Sequence, residues 1–190
     1  NGNISSWRVP VTNLNEAFGG AAEFNQPLDN WDVSQCTSFG SAFSGAKAFN
    51  QPLASWEVNT GSVGYMFNNA ESFNQDINAW ALDDFNGKYM FSNAQKFNQS
   101  LSLWTRPNNI ESMFAYAYDF NQDLSMWDTS SLTNMINVFQ HTEAFNQPLA
   151  SWNVSSVTSF AGMFKSTHAF NQPLDSWDTA AATSMKSMFR

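Results

Sequence analysis

Two histidines, one cysteine and sixteen carboxylates are the groups in these 190 residues that could do acid–base, nucleophilic or metal chemistry. His141 and His168 are far apart in the chain, and their interval matches no metal-ligand spacing. Cys36 has no second cysteine to pair with, which excludes an internal disulfide and a cysteine metal knuckle. Serines are many, but no Ser, His and acid recur at positions that a common frame would bring together. Gly19-Gly20 does not follow a strand pattern, as a phosphate-cradling loop would require. The adjacent carboxylates Asp83-Asp84 read as a solvated turn. Catalytic residues, a bound metal and a cofactor are therefore not expected, and neither is an enzyme.

The elements that position these residues repeat. Tryptophan recurs at Trp7, Trp31, Trp56, Trp80, Trp104, Trp127, Trp152 and Trp177, at nearly equal steps. The triplet Phe-Asn-Gln recurs with its Phe at 24, 49, 73, 97, 120, 145 and 170, and a second Phe recurs at 18, 43, 67, 91, 114, 139, 164 and 189. The triplet Phe always stands six positions after the second Phe, and the Trp always seven positions after the triplet Phe. All variation in length falls between the Trp and the next second Phe, an arc that is longest after Trp31, Trp127, Trp152 and Trp177 and shortest from Trp104 to Phe114.

A period of roughly 20–30 residues is one turn of a solenoid, whose units bury apolar surface only by stacking on neighbours. Leu28, Trp31, Val33 and Cys36, like Leu149, Trp152, Val154 and Val157, have the spacing of a leucine-rich repeat. Residues two apart on an extended chain share a face, so the spacing predicts a short parallel strand around each Trp. After it the apolar period lengthens. Val157, Phe160, Met163 and Phe164 predict a short helical segment, as do Leu132, Met135, Val138 and Phe139, with Ser156 or Ser131 as N-cap. The expected fold is an α/β solenoid: one right-handed, leucine-rich-repeat-like array over residues 1–190, of about eight turns of about 23–25 residues. Pro27, Pro52, Pro148 and Pro173 stand just ahead of the strand, where a missing N–H costs least.

Units such as FNQPLASWNVSSVTSFAGMF resemble the BspA-like surface-protein repeat of the leucine-rich-repeat superfamily, throughout the chain. The resemblance implies cell-surface or extracellular proteins of bacteria and unicellular eukaryotes, adhesion and protein binding, and no catalytic residues. Two middle units depart from it: WALDDFNGKYMF lacks the Val-Thr-Asn-Met stretch, and WTRPNNIESMF is shortened and carries Pro107.

Three rows follow from the frame. The triplet asparagines Asn25, Asn50, Asn74, Asn98, Asn121, Asn146 and Asn171 are expected to satisfy backbone groups at a corner, since an unpaired buried polar group is costly. Trp31, Trp56, Trp80, Trp104, Trp127, Trp152 and Trp177 are expected to continue from Trp7 as one buried ladder. The residue after each Trp should face outward; it reads Arg8, Asp32, Glu57, Ala81, Thr105, Asp128, Asn153 and Asp178. Asp32, Glu57, Asp128, Asn153 and Asp178 are thus the candidate ligand positions. Stacked like charges repel, so the row is read as a solvated face, with a cation or basic partner as the alternative.

Sixteen acidic against eight basic residues leave a net charge of −8, the wrong sign for nucleic acid. No apolar run approaches the roughly 20 residues of a membrane helix. The expected function is a non-catalytic cell-surface or secreted module that binds protein, or a glycan. The alternative is a structural array assembling end to end into a fibre or coat. Residues 1–4 align with Asn25-Gln26-Pro27-Leu28 and the pattern runs to Met188-Phe189, with no capping repeat at either end. On this pattern the chain is expected to be a segment of a longer array that self-associates through its ends.

Overall fold

A computed structural model describes residues 4, 7, 10–58 and 61–190; the first corner, Asn1 to Asn3, and the outward Arg8 lie outside them. Backbone hydrogen bonds join each unit to the next in a constant frame, the N–H of each second Phe from Phe18 to Phe164 donating to the residue just before the next second Phe. Around Phe91, for example, the N–H groups of Tyr89, Phe91 and Asn93 donate to the carbonyls of Glu111, Met113 and Ala115 at 2.9, 2.9 and 2.7 Å. The N–H groups between them turn back three residues: Met90 to Gly87, Ser92 to Tyr89 and Ala94 to Phe91. Every N–H from 89 to 94 is therefore spent, alternately on the next unit and on the local turn, as buried backbone requires.

This scheme replaces the predicted helix. Among the described residues the helical structure is a single 3₁₀ turn, Asn78–Trp80, and the segments ending at Phe139 and Phe164 are chains of turns. An α-helix would bond each N–H four residues back and leave none for the neighbouring unit. Two left-handed residues, four apart, flank each second Phe from Phe18 to Phe164 and interrupt any helix, among them Tyr65 and Asn69, Tyr89 and Asn93, Ser112 and Tyr116, Asn137 and His141, Gly162 and Ser166. Left-handed L-residues cost roughly 1–2 kcal/mol each, offset here by the inter-unit bond each donates. Gly162 fits its place for a second reason. A Cβ there would run into Oδ1 of Asn137.

The strand expected at each Trp is also displaced. Each Trp N–H closes a turn onto the residue three earlier, as in Trp56 to Leu53 at 3.0 Å and Trp152 to Leu149 at 3.1 Å. Parallel pairing comes later in the unit, in β1 (Phe85–Asn86) against β2 (Pro107–Asn109) and in isolated bridges such as Asn134 to Ser159 and Ser159 to Ser184. Leu and Trp both point inward from a turn as readily as from a strand, so the spacing holds while the backbone differs.

Two phenylalanine columns form the core. The second Phe of successive units stack with centroids 5.2–5.8 Å apart, and the triplet Phe at 5.8–6.1 Å. Within a unit the two rings meet at 3.9–4.2 Å. Two consecutive turns bring them together: Ala94 N–H to Phe91, then Phe97 N–H to Ala94, both at 3.0 Å. Two three-residue steps make six, which explains the invariant interval. One inserted residue would break one of these closures and, with it, the ring contact.

Candidate functional site: a tyrosine–amide face

The triplet asparagines are tied into the stack. Oδ1 of Asn98 accepts the N–H of Asn121 at 3.0 Å and Nε2 of Gln122 at 2.8 Å. Asn25, Asn50, Asn74, Asn121 and Asn146 do the same for the unit that follows each, the last serving Asn171. Both lone pairs are used, so this row holds the corners together.

Trp56, Trp80, Trp104, Trp127 and Trp152 are buried, Trp31 and Trp177 partly so, and Trp7 is 52% exposed. The indoles stack in pairs, Trp7 on Trp31, Trp80 on Trp104 and Trp127 on Trp152. Nε1 of Trp56, Trp80, Trp152 and Trp177 donates to the Leu carbonyl of the preceding unit at 3.0–3.2 Å. Trp31 lacks that bond, and so do Trp104 and Trp127. The last two are met edge-on by Phe85, at 5.2 and 5.7 Å, in the unit whose sequence departs from the repeat.

Asp32, Glu57, Asp128, Asn153 and Asp178 are all exposed, and four of them serve their own turns. Oδ1 of Asp32, Asp128, Asn153 and Asp178 accepts the N–H two residues on, at 3.0–3.1 Å. The hydroxyl and N–H of Ser34 hold the Asp32 carboxyl below its ordinary range, as Ser130 holds Asp128. Such depressed carboxylates favour the fold above the usual carboxylate pKa, and the contribution fades as pH falls through their lowered values. Nearby, Arg106 pairs with Asp83 across two units and, with Thr105, holds that carboxyl well below the usual range. No three His, Cys, Asp or Glu side chains converge as metal ligands among the described residues. Millimolar calcium is therefore expected to leave the melting temperature within about one degree. A rise of several degrees that disappears in Asp32→Asn would make the row a cation site.

An aromatic surface lies elsewhere, at the left-handed positions. Tyr65 and Tyr89, two residues before the second Phe of adjacent units, stack at 4.9 Å. Tyr116 and His141, two residues after it in the next two units, stack at 4.6 Å, and Tyr118 meets Tyr116 edge-on. A shelf between the pairs is lined by Tyr65, Asn68, Asn69, Tyr89, Ser92, Asn93 and Tyr116. Its amides hold one another. Nδ2 of Asn93 donates to Oδ1 of Asn69 at 2.9 Å, Nδ2 of Asn69 to Oδ1 of Asn68 at 2.6 Å, and Nδ2 of Asn68 to the Ser92 carbonyl at 3.3 Å. Gln95 donates to Oδ1 of Asn93 at 3.1 Å. The outward-row reasoning missed this face, although the signal was present: all four tyrosines fall between 65 and 118.

Stacked units in fixed frame, held by side-chain ladders and carrying a local aromatic face, define a repeat protein. The chain belongs to the family described as Mycoplasma protein of unknown function, DUF285, whose model matches residues 1–104 and again 105–190. No curated protein and no solved structure matches it.

Proposed function

We propose that the chain is a non-catalytic repeat module, a solenoid of stacked turns at the cell surface or secreted, that binds a macromolecule through the tyrosine–amide face. The observation that carries this reading is the aromatic cluster Tyr65, Tyr89, Tyr116 and His141 beside interlocked amides, on a scaffold whose other side-chain rows serve the fold itself. Tyrosine with asparagine and serine is the composition that recognition surfaces favour, because the ring gives contact area at small entropic cost. The likeness of the repeat to BspA-like surface repeats supports the surface location and an adhesive role.

The triple variant Tyr65→Ser/Tyr89→Ser/Tyr116→Asn tests the reading. Its replacements are residues that neighbouring units already carry at the same frame positions, Ser41, Ser112 and Asn93. Against a panel of immobilised extracellular proteins and polysaccharides, the native chain is expected to be retained saturably. The variant should lose at least about tenfold in affinity, the order that hot-spot tyrosines contribute. Equal retention of both would take the face out of the function.

A further inference from the structure

We infer that the shelf between the two ring pairs is a subsite for a neutral oligosaccharide. The inference rests on the reading of this face as the ligand contact and assigns its ligand class.

Tyr116 has a parallel-stacked ring on one face only, with Tyr118 meeting it edge-on. Tyr116 is covered on one side by His141 of the following unit. Its other side is turned to the preceding unit, where the same frame position carries the smaller Asn93, and both residues line the shelf. A pyranose offers a matching surface, since its axial C–H groups form an apolar patch that packs on the electron-rich face of a tyrosine.

The rim supplies what sugar hydroxyls need. Asn68, Asn69 and Asn93 each spend one N–H and one lone pair within the amide chain. An amide has two of each, so each keeps one donor and one acceptor. A hydroxyl group both donates and accepts, and neighbouring hydroxyls on a ring would meet neighbouring amides. The network also fixes the amides before binding, which lowers the ordering cost of recognition.

Charge and spacing disfavour the competitors. The shelf is lined by Tyr, Asn and Ser alone. Lys88 beside it is paired with Glu111 at 3.3 Å and lies over the Tyr89 ring. With a net charge of −8 the protein repels anionic sugars. A proline-rich peptide needs slots between aromatic ridges, and the 4.9 Å contact of Tyr65 with Tyr89 leaves none between those two rings.

Titration calorimetry with cellohexaose, maltohexaose, mannohexaose and chitohexaose tests the inference, with heparin and decaproline as the charged and peptide probes. At least one neutral hexasaccharide is expected to bind. Tyr116→Asn and Asn93→Gly should each weaken it about tenfold or more, while Tyr116→Phe keeps it. Both losses use residues that a left-handed position accepts, and unchanged melting temperatures separate lost binding from lost folding. Equal affinity in native and variant chains overturns the assignment, as does binding of none of the four hexasaccharides. Stronger binding of heparin or decaproline, abolished in Tyr116→Asn, also overturns the sugar and leaves the binding-module reading standing. That reading falls separately, when no member of the immobilised panel distinguishes the triple variant from the native chain.

Discussion

Phe91→Ala is expected to destabilise the protein by about 3–5 kcal/mol, the range for a large core aromatic cut to alanine. Phe91 has no exposed surface. It packs on Phe67 and Phe114 at 5.8 Å, on Phe97 at 3.9 Å and on Trp104 at 6.3 Å. The gap would interrupt one column and undercut the other, because the ring bridges both. The backbone on either side is pinned by the bonds of Tyr89 to Glu111 and of Asn93 to Ala115 and cannot collapse into it. For a chain of this length about 2–4 °C is lost per kcal/mol, so a fall of roughly 6–20 °C is expected. Leu103→Ala, at a position 55% exposed, should stay within about 0.5 kcal/mol. A melting shift for Phe91→Ala no larger than that of Leu103→Ala would show that the columns do not hold the stack together. Hydrogen exchange should place the damage locally, quickest at the amides of Tyr89, Asn93 and their partners, since repeat arrays are stabilised unit by unit.

The same arc shows what could be read from residues alone. The positions of the aromatic columns follow from the fixed intervals between Phe18 and Phe24 and between Phe24 and Trp31, because no insertion is tolerated where turn closure and ring contact must coincide. The backbone joining them does not follow. Apolar residues at i, i+3 and i+7 suit a helix, but a run of turns closed three residues back gives nearly the same spacing. What separates the two is where the N–H groups go, and no side chain reports that. The left-handed positions are occupied by Glu16, Ser41, Tyr65, Tyr89 and Ser112 as well as by Gly20, Gly45, Asn69 and Asn93. Only the latter group carries a residue-type preference for that conformation. The tyrosine face was hidden for a related reason. Tyr89 precedes its Phe by two residues and Tyr116 follows its own by two, so no single column of the aligned repeat contains both. The fold alone places them on one shelf.

Asn98 separates stacking by ladder from stacking by hydrophobic contact. Replacing it with alanine removes the acceptor of the Asn121 N–H and one of two acceptors of Gln122 Nε2; the other, the Asn98 carbonyl at 3.1 Å, remains. A donor left without its partner costs about 1–3 kcal/mol, which here falls on the Asn121 N–H. Asn98→Asp keeps an oxygen at the same place, and a carboxylate accepts an N–H more strongly than an amide does. The aspartate is therefore expected to recover most of what alanine loses, although the amide itself is gone. Asn153 provides the contrast. Its Oδ1 serves only Ser155 in its own exposed turn. Asn153→Ala should therefore cost about 0.5 kcal/mol, the usual scale of a surface change. Thermal melts of the three variants give a simple ordering: Asn98→Ala lowest, Asn153→Ala and Asn98→Asp close to the native chain. If Asn98→Ala and Asn98→Asp fell equally, the oxygen would not be what binds unit to unit. The constancy of the Phe-Asn-Gln triplet would then need a cause other than the two lone pairs at each corner.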